Sequence, residues 1–108
     1  MKLGVIEYID CAHYLPGHKK CGILHGHTYR VEVIIEGENK TGMILDFGDL
    51  KALLRETLGM YDHRCFNDFL EYPSVENICE MIHQKLEVQL SMPCTVRVWE
   101  GNGKWAEV

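Results

Sequence analysis

Long apolar runs, paired cysteine motifs and an excess of positive charge are all missing from this chain of 108 residues. No apolar run is long enough to cross a bilayer, and residues 1–10 lack the apolar core of a signal peptide. We therefore expect no membrane partner and a cytoplasmic location. The formal net charge is −5, so the basic field that phosphate binding requires is absent and no nucleic-acid partner is expected.

The cysteines do not fit a disulfide framework or a thiolate zinc cluster. They are Cys11, Cys21, Cys65, Cys79 and Cys94. Their number is odd and no Cys-x-x-Cys pair occurs, which favours reduced thiols. No linker, repeat or low-complexity tract divides the sequence, so residues 1–108 are expected to form one domain. A domain this short buries limited surface, and oligomerisation would add stability.

Strand patterns lie at both ends of the chain, and helix patterns lie between them. The strand stretches span residues 2–12, 29–38, 94–100 and 104–108. Asp46 and Ser74 are suitable N-caps for two helices, the first of which would end at Gly59. The resulting order, β-β-α-α-β-β, predicts an α+β fold with an antiparallel sheet that carries two helices on one face.

Three of the histidines are placed so that they could meet. His25 and His27 stand just before the second strand, and alternate residues of an extended segment point to the same side. His13 ends the first strand, so a hairpin would bring it beside that pair. Three neutral imidazole nitrogens with an open position are typical of catalytic zinc. The alternative is a chance surface pair. His83 is expected to be solvated on a helix, and His18 to lie in a polar loop.

Cys21 is the cysteine best placed for chemistry, because it lies four residues before His25 in a loop that also contains Lys19 and Lys20. Nearby cations and a bound metal favour the thiolate form, which acts as a base or a nucleophile. The alternative is an inert loop cysteine. The two lysines would either attract an anionic substrate or simply be solvated.

Two carboxylates are further candidates. Asp62 precedes His63 directly, and a carboxylate that orients an imidazole is common in acid–base relays, although adjacency alone does not ensure a hydrogen bond. Glu100 ends the third strand. It is either a solvated edge residue or the acceptor of two hydrogen bonds from a guanidine-like N–H pair.

Six short segments, taken in order, cover nearly the whole chain. They are Cys-Ala-His (11–13), Cys-Gly-Ile-Leu-His-Gly-His (21–27), Gly-Met-Ile-Leu-Asp-Phe (42–47), Asp-His-Arg-Cys-Phe-Asn-Asp (62–68), Pro-Ser-Val-Glu-Asn (73–77) and Val-Arg-Val-Trp-Glu (96–100). Together they resemble the signature of the 6-pyruvoyl-tetrahydropterin synthase family. The spacing from Cys21 to His-Gly-His is similar to that of the 6-carboxy-tetrahydropterin synthase branch; animal 6-pyruvoyl enzymes have a longer one. Tyr61, Phe66 and Gly101 depart from the family pattern.

The resemblance implies a fold, an assembly and a set of site residues. The fold would be the tunnelling fold, with β-barrel trimers of subunits stacked in pairs as a homohexamer. The implied residues are His13, His25 and His27 for zinc, Cys21, Asp62 and His63 for proton transfer, and Glu100 and Ser74 for the pterin. The thiol and the Asp-His pair would come from different subunits.

The resemblance also implies a reaction. The substrate would be 7,8-dihydroneopterin triphosphate, and a zinc-dependent lyase would convert it to 6-carboxy-5,6,7,8-tetrahydropterin, acetaldehyde and triphosphate in queuosine (7-deazaguanine) biosynthesis. One alternative is a 6-pyruvoyl-tetrahydropterin synthase, a carbon–oxygen lyase that only eliminates triphosphate. Another is a non-catalytic, metal-binding oligomeric protein.

Overall fold

The chain folds into four strands and two α-helices in the predicted order, and the computed structural model describes all of residues 1–108. The strands are β1 (Lys2–His13), β2 (His25–Glu36), β3 (Cys94–Glu100) and β4 (Lys104–Glu107). The helices are α1 (Phe47–Leu58) and α2 (Val75–Leu90), with a short 3-10 helix at Phe66–Asp68 between them. Neighbouring strands are all antiparallel, in the order β1-β2-β3-β4. The α+β fold is confirmed. No helix has the length and apolar character needed to span a membrane.

The long β1/β2 hairpin is the part of the fold that positions the site. Its register pairs His13 with His25 and Cys11 with His27. β2 begins at His25, earlier than the alternation of the sequence indicates. The polar and glycine residues at its start hide the pattern, but β1 extends to His13 and supplies backbone partners to them.

Both helices pack on one face of the sheet, and the hydrophobic core lies between the two layers. The core-facing residues of β2 are Tyr29, Val31, Val33 and Ile35, which are buried as the alternation predicts. They share one cluster with Leu50 and Leu54 of α1 and with Ile78 and Ile82 of α2. Burial of each such side chain stabilises the fold by about 1.5–3 kcal/mol. The long hairpin is thereby fixed to the helices.

The predicted helix ends are confirmed. Asp46 accepts a hydrogen bond from the backbone N–H of Gly48, and Ser74 accepts one from Asn77. α1 ends at Gly59, whose φ of −60° needs no glycine, although a Cβ there would lie 3.2 Å from a carbonyl oxygen. Local side-chain chemistry therefore sets both helix starts.

The prediction that His83 is solvated is wrong. Its side chain is only 18% exposed, and Nε2 lies 3.0 Å from the carbonyl oxygen of Cys94 and 3.2 Å from the carboxylate of Glu87. β3 begins beside the last turns of α2 and covers the ring. His83 therefore ties helix to sheet.

Candidate metal centre and active site

Three imidazole rings meet at the end of the β1/β2 hairpin. The rings of His13, His25 and His27 have centroids 4.6, 4.8 and 5.1 Å apart, and one ligand nitrogen of each lies within 4.8 Å of the others. The hairpin register explains this convergence. His13 and His25 are cross-strand partners, and His27 follows on the same face of β2.

Two backbone carbonyls orient these rings. Nδ1 of His13 lies 2.8 Å from the carbonyl oxygen of Pro73, and Nδ1 of His25 lies 2.6 Å from that of Ile23. A carbonyl oxygen only accepts, so each Nδ1 carries a proton, and in the neutral ring Nε2 keeps its lone pair. Metal-binding histidines are held by such outer hydrogen bonds. The Pro73 contact also ties the cluster to the start of α2.

The cluster fits a metal ion. Nε2 of His13 and Nε2 of His27 are both buried and have no hydrogen-bond partner. Burial lowers the pKa of His27 below its ordinary value; the neighbouring His13 and His25 lower it further, and Glu100 opposes them. His27 is therefore held neutral, as metal ligation requires. Buried nitrogens without partners are costly in a folded protein, and a cation would supply the missing interaction.

Glu100 faces the same cluster from the end of β3. Its carboxylate oxygens lie 3.6 Å from Nε2 of His27 and 3.9 Å from Nε2 of His13, and Nζ of Lys104 lies 3.5 Å away. The side chain is only 15% exposed. A carboxylate this shielded and next to imidazoles is suited to binding a ligand edge that carries N–H donors.

Ser74 has a structural task in this chain. Its Oγ accepts a hydrogen bond from the N–H of Asn77 at 3.2 Å, which starts α2. The preceding residue, Pro73, holds His13 through its carbonyl oxygen. Ser74 is thus linked to the metal centre through the backbone. Its predicted contact with substrate stays a prediction.

The Asp62-His63 pair does form a contact. Nδ1 of His63 lies 3.0 Å from Oδ1 of Asp62. The backbone of His63 has a φ of 62°, which is uncommon outside glycine and coincides with this return of the ring onto the preceding side chain. The ring is exposed and leaves Nε2 available for proton transfer.

Asp10 is a site residue that the sequence analysis missed. Its backbone N–H donates to Oδ1 of Asp62 at 3.0 Å, and its carbonyl oxygen accepts from the N–H of His63 at 2.8 Å. The side-chain atoms of Asp10, Asp62 and His63 also lie within 4.8 Å of one another. β1 thereby fastens the Asp-His pair in place. No spacing in the sequence announces this, because Asp10 is 52 residues from Asp62.

An open surface cavity of about 590 Å³ has residues of both groups in its lining, but His13, His25 and Glu100 do not line it. His27 lines it from the histidine cluster, and Asp10, His63 and Arg64 line it from the Asp-His side. The volume is within the range of small-molecule sites. Cys21 is not among the lining residues; it is partly buried in the loop between β1 and β2 and joins neither group of potential ligand side chains.

These features define a small α+β protein with a three-histidine cluster and an open cavity that His27 and His63 both line. The family description 6-pyruvoyl tetrahydropterin synthase matches residues 2–108. A solved structure of Caenorhabditis elegans 6-pyruvoyl tetrahydropterin synthase superposes with a TM-score of 0.87 at 20% identity, covering 100% of this chain and 94% of that one. That similarity supports the fold.

Relatives of closer sequence support the same assignment. An Archaeoglobus fulgidus protein with the provisional name 6-carboxy-5,6,7,8-tetrahydropterin synthase is 43% identical over 109 residues, covering 100% of this chain and 95% of the relative. A Synechocystis 6-carboxy-5,6,7,8-tetrahydropterin synthase is 40% identical over 88 residues, covering 72% and 68%. A Pyrococcus furiosus dihydroneopterin monophosphate aldolase is 37% identical over 82 residues, covering 73% and 72%. The chain belongs to the 6-pyruvoyl tetrahydropterin synthase family.

Proposed function

We propose that the protein is a zinc-dependent carbon–carbon lyase that converts 7,8-dihydroneopterin triphosphate and water to 6-carboxy-5,6,7,8-tetrahydropterin, acetaldehyde and triphosphate in queuosine biosynthesis. The observation that carries the proposal is the convergence of three histidines, two of them with buried Nε2 atoms that have no partner, beside the carboxylate of Glu100. The names of the A. fulgidus and Synechocystis relatives support the 6-carboxy product.

His13, His25 and His27 would hold the zinc ion. Imidazole ligands also bind iron and nickel, but three histidines with an open position favour zinc. Such an ion would polarise substrate oxygens as a Lewis acid. The protein's part is to turn the rings correctly. The carbonyl oxygens of Pro73 and Ile23 do this for His13 and His25 by accepting hydrogen bonds from their Nδ1 atoms.

His63 and Cys21 would transfer protons. Asp62 accepts the Nδ1 proton of His63, so Nε2 of that ring is free to take or give a proton in the cavity. The thiol of Cys21 would serve as the second acid–base group. Within one chain Cys21 does not line this cavity, which supports an arrangement in which a neighbouring subunit completes the site.

Glu100 would anchor the pterin ring. A carboxylate can accept two parallel N–H bonds from the guanidine-like edge of a pterin, and charge-assisted pairs of this kind are strong and directional. Its low exposure and its place beside the histidines would hold the ring next to the metal. Ser74 would contribute from the adjacent start of α2.

A second candidate reaction is favoured by the P. furiosus relative, which is named a dihydroneopterin monophosphate aldolase. Such an enzyme would cleave a side-chain carbon–carbon bond without releasing triphosphate. The 6-pyruvoyl product is a third outcome on the same scaffold, supported by the family description.

One assay separates these reactions. Purified protein is given the triphosphate or the monophosphate of 7,8-dihydroneopterin, with and without a chelator, and the products are identified by mass spectrometry. The proposal expects 6-carboxytetrahydropterin and acetaldehyde from the triphosphate only, and loss of turnover with the chelator that added zinc restores. A 6-pyruvoyl product would identify a 6-pyruvoyl-tetrahydropterin synthase instead, and turnover of the monophosphate alone would identify an aldolase. Either result would overturn the proposal. Zinc binding without turnover of either compound would support a non-catalytic protein.

The assembly and the compartment belong to the same proposal. β4 leaves one edge without a partner, and β1 leaves its outer edge open except near its end, where Asp10 and Ala12 bond to the backbone of His63 and Arg64. Natural proteins usually cover such open edges. A barrel of three sheets, stacked as a homohexamer, would pair them. All five cysteines are free, which supports a reducing cytoplasmic compartment.

A further inference from the structure

The loop that carries Cys21 is closed by its own backbone. The N–H of Leu15 donates to the carbonyl oxygen of Cys21 at 2.7 Å, and the N–H of Gly22 donates to that of His18 at 2.9 Å. A third bond runs from the N–H of His18 to the carbonyl oxygen of Leu15 at 3.0 Å. Because Leu15 is the second residue after His13, this closure returns Cys21 to the metal end of the hairpin.

A side chain holds the inside of this loop. Nδ1 of His18 accepts two backbone hydrogen bonds, from Cys21 at 2.9 Å and from Lys20 at 3.2 Å. An Nδ1 that accepts carries no proton, so the ring proton is on Nε2. Donors two and three residues ahead of the acceptor form the arrangement that Asn, Asp, Ser and Thr make at turns and helix starts. His18 is therefore not only a solvated loop residue, because its side chain binds two backbone N–H groups of the loop.

Gly22 shows how tightly the loop passes its own start. A Cβ on Gly22 would lie 2.4 Å from the carbonyl oxygen of His18, a backbone atom that cannot move aside without opening the loop. Only glycine allows this approach. The backbone on both sides of Cys21 is thus fixed, through His18 Nδ1 before it and through Gly22 after it.

We propose that His18 is a positioning residue for Cys21. Its Nδ1 fixes the peptide unit that precedes the Cys21 Cα, and so fixes the direction in which the thiol leaves the loop. The inference rests on the proposed function, in which this thiol transfers a proton. Proton transfer depends steeply on geometry, and a displacement of about 1 Å can cost about a hundredfold in rate.

Two substitutions separate the position of the acceptor from the presence of a polar side chain. Asn carries its oxygen one bond from Cγ, where Nδ1 stands in histidine, so His18→Asn keeps the acceptor. Gln carries its oxygen one bond further out, so His18→Gln moves it. His18→Ala removes it. We expect His18→Asn to retain kcat within about threefold, and the other two variants to lose about 10- to 100-fold in kcat with KM and zinc content unchanged.

Amide hydrogen exchange gives a readout that does not depend on activity. The N–H groups of Lys20 and Cys21 should exchange at similar rates in the wild type and in His18→Asn, and faster in His18→Gln and His18→Ala. Wild-type exchange and kcat in His18→Gln would overturn the proposal. Equal damage in His18→Asn and His18→Gln would also overturn it, because a ring-specific contact would then be responsible.

A Cys21→Ala variant distinguishes the failure of this inference from failure of the proposed function. If Cys21→Ala is inactive while His18→Gln turns over normally, the thiol acts but His18 does not position it. If Cys21→Ala is fully active, the role of the thiol is lost and the positioning role is lost with it. The inference is supported when Cys21→Ala is inactive and His18→Asn alone preserves both slow exchange and kcat.

Discussion

Among single residues, Glu100 has a carboxylate whose surroundings strengthen its electrostatic effect. Two imidazole nitrogens and the ammonium of Lys104 lie within 4 Å of its carboxylate, and the side chain is largely shielded from water. Its charge therefore acts at higher strength than a surface carboxylate does. It also raises the pKa of His27 against the lowering effect of burial.

Replacing Glu100 by Gln keeps the size of the side chain but removes one of its two acceptors and its charge. We expect KM for the pterin substrate to rise, with kcat/KM about 10- to 100-fold lower, because a hydrogen bond to a charged group contributes about 1.5–3 kcal/mol. Steady-state kinetics measure this. Glu107→Gln is the matched control, since Glu107 pairs with Arg97 on the neighbouring strand. An unchanged KM in Glu100→Gln would remove the anchoring role.

Cys11 and Cys79 are buried thiols whose chemistry contrasts with that proposed for Cys21. Burial is the largest cause that raises the pKa of each to about 11 from an ordinary 9.0. Below pH 9.0 each thiol is protonated in both the folded and the unfolded chain, so its full contribution to stability is present. Above it, the unfolded chain releases protons first, so stability is lost as the pH rises toward 11.

Two measurements check these thiols. Peptide mapping after treatment with iodoacetamide at about pH 8 should find Cys21 modified and both Cys11 and Cys79 unmodified. The urea concentration at the midpoint of unfolding should be lower at about pH 10.5 than at about pH 8, and this difference should be smaller in Cys79→Ala. Rapid alkylation of Cys79 in the folded protein would contradict the burial argument.

Among secondary-structure elements, the start of α2 combines a helix cap with a connection to the metal centre. Ser74 caps the helix, and the carbonyl oxygen of Pro73 beside it holds Nδ1 of His13. Asp46 caps α1 in the same way but has no link to the histidines. The two caps form a matched pair, because their removal should destabilise the fold similarly.

We therefore expect Ser74→Ala and Asp46→Ala each to lower the free energy of unfolding by about 1 kcal/mol. Only Ser74→Ala should also weaken zinc binding, by about tenfold or more, since loss of an outer hydrogen bond to a ligand commonly costs about 10- to 100-fold in metal affinity. Competition with a chromophoric chelator measures the affinity. Equal zinc affinity in the two variants would show that the Pro73 carbonyl keeps its place without the cap.

The elements also show what the sequence can predict. Both helix starts depend on residues within one turn, and Asp46 and Ser74 were found from the sequence for that reason. The contact between Asp62 and His63 coincides with a positive φ at His63, and the role of Asp10 depends on a contact between residues 52 positions apart. His83 was misplaced because the strand that covers it comes later in the chain. Contacts distant in sequence carry no local signal.

For the molecule as a whole, the main question is whether one chain or several chains supply the residues of the predicted site. One cavity is lined by His27 and His63, whereas Cys21 lies in the loop between β1 and β2 and does not line it. β4 and the part of β1 before Asp10 each have an open edge on which another sheet could pair. An oligomer of three or six chains of 12.5 kDa would bring a second copy of the Cys21 loop within reach.

A mixture of two inactive variants tests this sharing. Cys21→Ala and His63→Ala should each be inactive alone. In oligomers that contain both, a site built from the Cys21 of one chain and the His63 of another can have both native groups. Random assembly of equal amounts should therefore restore about a quarter of the wild-type rate in hexamers, and about a third in purified mixed trimers. Co-expression with two tags and tandem purification isolates the mixed oligomers, and light scattering gives their mass. Mixed oligomers that stay inactive would place Cys21 and His63 of the same chain in one site, and the Cys21 loop would then have to move toward the cavity during turnover.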